Sequence, residues 1–115
     1  MYRIPALAAI AALAMGAAGA VQAAGDPVAG REKSQTCASC HGEKGNTSNS
    51  MYPKIGGQHA SYLYYSLKQY KTGARQNAVM SGMVSDLSDQ DMRDLAAYYS
   101  SVEGDLYTLP LGDLE

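Results

Sequence analysis

Residues Thr36 to Gly45 read TCASCHGEKG, and both cysteines of the chain, Cys37 and Cys40, fall inside this stretch with His41 directly after them. Two cysteines at this spacing serve three chemistries: a zinc clip, a redox dithiol, or covalent attachment of haem. A zinc clip needs four ligands, usually with a second pair elsewhere in the chain. No other cysteine exists, His59 is the only other histidine, and adjacent Cys40 and His41 would struggle to close on one tetrahedral ion. An exchange dithiol sits at a helix N-terminus inside a strand–helix pattern, and no strand-like run precedes Cys37. A structural disulfide gains little here either, because the stabilisation grows with the length of the closed loop.

The haem reading gives every part of C-x-x-C-H a task. The two thiols add to the two vinyl groups, and the next residue, His41, is thereby carried under the iron as proximal ligand. Covalent tethering also supplies apolar mass that a very small domain lacks. The expected cofactor is therefore one haem c, bound through Cys37 and Cys40.

The chain has 115 residues, room for one domain at most. Its start does not belong to that domain. Met1-Tyr2-Arg3 carries one positive charge, Ile4 to Ala20 is an uncharged Ala/Leu/Ile/Met/Gly run, and Val21-Gln22-Ala23-Ala24 offers small residues for cleavage. This is the pattern of a secretory signal peptide. The run is short and alanine-rich beside the ~20 strongly apolar residues a membrane span needs. We expect residues 1–23 to be cleaved, after Ala23 or Ala24, leaving 24–115 as a single exported domain with no stable membrane insertion. The ~90 residues that remain are near the size where a core alone is marginal and a staple is needed.

Charge is unevenly spread. Ala24 to Val79 holds seven basic residues against three acidic ones, whereas Met80 to Glu115 holds Arg93 alone against eight acidic residues. The acidic balance argues against nucleic-acid binding. A basic region and an acidic region could orient encounters with a charged partner, and they equally suit ordinary solvated faces.

Local patterning predicts an all-α domain with three main helices and two long loops. Asp26 and Pro27 open a polar helix running to Thr36. Gly42 to Gln58 is dense in Gly, Ser, Asn and Pro and reads as loop. In the next helix Leu63, Leu67 and Tyr70 recur at helical spacing, and Gly73 stops it. Ala74 to Asp86 shows no sustained period and reads as the second loop. In the last helix Ser88 caps, Asp89 and Asp91 favour the dipole, and Met92, Leu95, Ala96 and Tyr99 form one apolar face. The tail 102–115 carries Leu106, Tyr107, Leu109, Leu111 and Leu114, and could pack down or fray.

The far side of the iron needs a ligand from another segment. Met92 belongs to the apolar stripe, Met51 would need its loop to double back, and His59 opens a helix where solvent is its default. Met80 and Met83 remain, in the irregular MSGM segment, where a loop can present a thioether that stabilises ferrous iron. If neither binds, the open position would suit a five-coordinate haem that senses or activates small ligands.

From Gly30 and CASCHG through YPKIGGQ to MSGMVSDLSDQDMRDLAAYY, the mature chain resembles the class I cytochromes c. It is most similar to the bacterial periplasmic monohaem type, and to one half of the relatives that repeat the domain in tandem. The resemblance implies the small class I fold around one haem, with Met80 as axial ligand and Met83 as the fallback. It implies that the Pro53 carbonyl accepts the Nδ1 proton of His41, and that Gly30 lets the last helix cross closely near Tyr98 or Tyr99. It further implies a periplasmic electron-transfer protein, not an enzyme, monomeric, between partners such as a quinol-oxidising complex, a dehydrogenase, and a terminal oxidase or reductase. A haem subunit of a stable oxidoreductase complex is the alternative, with the tail as its interface.

Overall fold

A computed structural model describes residues 24–107. The expected signal peptide, residues 1–23, and the tail leucines 109, 111 and 114 lie outside the described residues. Five helices follow in order: α1 (Pro27–Lys33), α2 (Gln35–His41), α3 (Ala60–Thr72), α4 (Ala78–Val84) and α5 (Asp89–Ser101). The described residues contain no strand, and none of their helices is long and apolar enough to cross a membrane.

The polar helix predicted as continuous to Thr36 is two helices. Ser34 interrupts it: its backbone N–H reaches back only three residues to the Arg31 carbonyl, and its hydroxyl donates to that same oxygen at 2.7 Å. A serine that competes in this way tightens the turn and lets the chain change direction. Helix α1 opens as its sequence suggests, with the Asp26 carboxylate accepting from the Val28 N–H at 2.8 Å.

The second correction concerns Ala74 to Asp86, which reads as loop in sequence but contains α4. Seven residues are too few to stand alone as a helix. Both ends are held from outside the periodic pattern. The Asn77 side chain accepts from the Met80 N–H at 3.0 Å. The Lys71 ammonium, from the last turn of α3, donates to the Ser85 and Leu87 carbonyls just past α4. Val84 is fully buried and fixes the inward face.

Helix α5 is the spine. Ser88 and Asp91 form a reciprocal capping box at its start, and Met92, Leu95, Ala96 and Tyr99 are all buried. Helix α1 crosses it on one side and α3 packs on another. The crossing is close because residue 30 is glycine: a Cβ there would land on the Asp94 carbonyl and within 2.8 Å of the Tyr98 Cβ. Leu63, Leu95, Ala96, Tyr98 and Tyr99 make the central cluster, with Cys37, Ile55, Leu67 and Val102 packed around it. Only seven apolar side chains are buried among the described residues, so the protein alone supplies a thin core.

One charged group sits inside it. Asp94 is 3% exposed and faces α1. It accepts from the Lys33 ammonium at 2.6 Å, the Asp26 N–H at 2.8 Å and the Gln90 amide at 2.8 Å. Lys33 also pairs with Asp91 at 2.8 Å. The two N-terminal turns are thus tied to α5 by one shared cation.

Candidate haem-attachment site

Cys37, Cys40 and His41 stand at i, i+3 and i+4 of α2, a spacing that brings them to one side of a helix. That side forms a wall of a cavity of about 580 Å³. The thiols are half-buried, and burial pushes the Cys37 thiol up from its ordinary range. His41 is buried, and its Nδ1 lies 2.8 Å from the Pro53 carbonyl oxygen. A carbonyl only accepts, so Nδ1 must carry the proton, leaving the Nε2 lone pair as the coordinating one.

The loop that supplies this carbonyl is itself pinned. The Gly45 carbonyl accepts from the Ile55 and Gly56 N–H groups at 2.8 and 3.0 Å, and the Thr47 N–H donates to the His41 carbonyl at 2.8 Å. Gly45 has φ of 73°, and a Cβ there would lie 2.9 Å from the Tyr99 ring. The start of the tail closes over the same loop. Asn46 donates to the Glu103 carbonyl at 3.0 Å and accepts from the Asp105 N–H at 3.3 Å, while Lys54 pairs with Asp105. Leu106 then joins the cavity wall.

The opposite side comes from α3 and α4. Leu63, Leu67, Tyr62 and Tyr70 contribute from α3, and Met80 and Met83 from α4. Met80 is half-buried, whereas Met83 is 47% exposed. Met51 reaches the edge but is 81% exposed. Met92 is buried in the core and His59 is exposed at the start of α3, and neither lines the cavity.

Tyr99 was visible in sequence only as a core residue. It is 3% exposed, lines the cavity beside Cys37, and its hydroxyl is the buried side-chain polar atom without a hydrogen-bond partner among the described residues. Burial drives this phenol well above its usual range. An orphaned hydroxyl, two thiols, a tautomer-locked imidazole and three thioethers around one largely apolar cavity fit a covalent haem. The donor types are soft sulfur and neutral nitrogen, as iron in a haem takes them.

Comparison with known proteins agrees with this chemistry. The family model described as cytochrome c matches residues 27–103. The chain is similar to cytochrome c4 of Pseudomonas aeruginosa, 42% identical over 89 residues, covering 77% of this chain and 44% of that protein. It is 47% identical over 83 residues to cytochrome c-554(548) of Halomonas halodenitrificans, covering 70% of this chain and 100% of that protein. A thiosulfate dehydrogenase electron acceptor of Thiomonas intermedia is 39% identical over 104 residues, 90% of this chain and 45% of that one. The crystal structure of reduced recombinant cytochrome c4 from Pseudomonas stutzeri superposes with a TM-score of 0.68 at 40% identity, covering 72% of this chain and 48% of that one. The chain therefore spans about half the length of several relatives and the whole of one.

Proposed function

The chain belongs to the cytochrome c family, and from that premise we propose that it is a soluble periplasmic one-electron carrier with a single haem c ligated by His41 and Met80. The haem supplies a ferric/ferrous couple when bound, held covalently through the C-x-x-C-H cysteines. The observation that carries the reading is the cavity in which Cys37, Cys40, the locked His41 and Met80 meet.

Each residue has a defined contribution. Cys37 and Cys40 tether, and their half-exposed position on α2 leaves one edge of the site near the surface, where a partner can approach. Pro53 fixes the His41 ring and, by accepting a hydrogen bond from its Nδ1–H, raises the basicity of the coordinating nitrogen. Met80 offers a neutral thioether, which favours the ferrous form and raises the potential. Its greater burial supports it over Met83 and Met51. Leu63, Leu95 and Tyr99 line the inner wall and exclude water. Held by both His41 and Met80, the iron would exchange electrons and leave no open position for a substrate. The export pattern of residues 1–23 supports a periplasmic location, with the donor being a dehydrogenase or quinol-oxidising complex and the acceptor a terminal oxidase or reductase. The likeness to a thiosulfate dehydrogenase electron acceptor makes a sulfur-compound dehydrogenase the first donor to try.

Mass spectrometry and redox titration of the exported protein test this reading. The expected mass is that of a chain beginning at Ala24 or Gly25 plus one haem, and the titration should follow a one-electron Nernst curve. A retained leader, a haem-free chain or a second haem would contradict it.

A further inference from the structure

The Tyr99 hydroxyl is buried on the cavity wall and has no hydrogen-bond partner among the described residues. Its ring is held from several sides. The Tyr99 carbonyl accepts from the Gly57 N–H at 2.8 Å, the Tyr98 ring packs against it with centroids 4.9 Å apart, and a Cβ on Gly45 would lie 2.9 Å from it. Tyr98 is itself anchored, its hydroxyl donating to the Glu43 carbonyl at 3.2 Å. A phenol fixed in this way cannot swing its hydroxyl out to water. A buried hydroxyl left unpaired carries its full desolvation penalty, and folded proteins rarely leave one so.

Two polar side chains border the hydroxyl, Ser34 and Cys37. Ser34 is buried, and its own proton is committed to the Arg31 carbonyl at 2.7 Å. Cys37 is near enough for the phenol to oppose the rise that burial imposes on its thiol, although no hydrogen bond is closed between them. Attachment changes this sulfur. Its S–H adds across a vinyl double bond: the S–C bond forms, and the proton passes to the other vinyl carbon. The thioether that results carries no proton and can only accept. We propose that the Tyr99 hydroxyl donates a hydrogen bond to the Cys37 thioether sulfur, fixing that edge of the site against α5 and biasing the iron couple. The inference rests on the haem reading above and adds Tyr99 to it as a positioning residue.

The sign follows from the dipole. An O–H aimed at the sulfur turns its positive end towards the haem rim. Ferric haem is one unit more positive than ferrous haem, so this end favours the ferrous form and raises the potential. Tyr99→Phe removes one oxygen and keeps the ring that packs against Tyr98 and Gly45, so a lowered potential reports the hydroxyl rather than the core.

The test is proton NMR of the ferrous holoprotein together with its midpoint potential at one fixed pH, for wild type, Tyr99→Phe and Ser34→Ala. Wild type should show a slowly exchanging hydroxyl proton with cross-peaks to the Tyr99 ring, the Cys37 β-protons and the thioether bridge. That resonance should be absent from Tyr99→Phe and retained in Ser34→Ala. The potential should fall in Tyr99→Phe and stay at the wild-type value in Ser34→Ala. A resonance lost in Ser34→Ala, a hydroxyl whose cross-peaks run to water instead of Cys37, or equal potentials in wild type and Tyr99→Phe would overturn the proposal. A wild-type absorption spectrum without haem would overturn the underlying reading instead. Should Tyr99→Phe fail to retain haem, the cross-peaks of wild type and Ser34→Ala decide.

Discussion

The Nδ1 atom of His41 lies 2.8 Å from the carbonyl oxygen of Pro53, twelve residues away. The loop between them cannot drift without turning the ring, because Thr47 also holds the His41 carbonyl. Gly45 is where this loop is most constrained, combining a left-handed φ with contacts to Gly56, Ile55 and Tyr99 below 3 Å from any added Cβ. Gly45→Ala should therefore cost about 1–3 kcal/mol in backbone strain, with overpacking added. Denaturant unfolding of the holoprotein measures the loss. The reduction potential should move with it, since the strain is relieved through the loop that orients His41.

The α1–α5 crossing gives a second expectation. Gly30 leaves no room for a methyl group against the Asp94 carbonyl, and the obstacle is backbone, which cannot swing aside. Gly30→Ala should destabilise by about 3 kcal/mol or more, at the upper end of overpacking costs. Because this crossing lies away from the residues lining the cavity, the haem absorption spectrum should be unchanged in whatever fraction remains folded.

Acid stability follows from Lys33. Hydrogen bonding to its ammonium is the largest influence on Asp91, which is held at about 2. For Asp94, burial alone would raise the carboxyl, but Lys33, the Asp26 N–H and Gln90 outweigh it and bring it below the usual range. A depressed carboxylate stabilises the fold above its unfolded value, near 4, and that contribution drains away as pH falls towards the folded one. Stability should thus be level from about pH 8 to 5 and fall between about 4 and 2. Asp91→Asn should make that fall shallower, as read from urea midpoints at successive pH values. An identical slope in the variant would rule out this source.

These features differ in how far sequence could reveal them. Met92, Leu95, Ala96 and Tyr99 announce α5 because periodicity is a local signal, and Ser88 with Asp91 marks its start. C-x-x-C-H announces the attachment chemistry for the same reason. Helix α4 escapes the sequence pattern because seven residues barely show a period; Asn77, capping Met80, is the available clue. Asp94 reads as one more surface acid, since its partners Asp26 and Lys33 are more than sixty residues away. Arg75 reads as an ordinary loop cation until its place on the cavity wall is in view. The break at Ser34 depends on a hydroxyl choosing a backbone carbonyl over solvent, which no pattern encodes.

The start of the tail supplies a further prediction. Asn46 bonds both Glu103 and Asp105, and it brings Leu106 onto the cavity. The family model ends at residue 103, and the contacts of Asp105 and Leu106 lie just past that point. Asn46→Ala should lose about 1–3 kcal/mol for two hydrogen bonds. Hydrogen exchange at residues 104–106 should accelerate while that of α5 stays slow.

The central claim is that His41 and Met80 together hold the iron. The measurement that tests it most directly is the weak far-red sulfur-to-iron absorption of the ferric protein, compared in wild type, Met80→Ala and Met83→Ala. The band should be present in wild type, survive in Met83→Ala and vanish in Met80→Ala. A band that persists in Met80→Ala and disappears in Met83→Ala would place the ligand three residues further along α4, and a wild-type spectrum without it would contradict methionine ligation altogether.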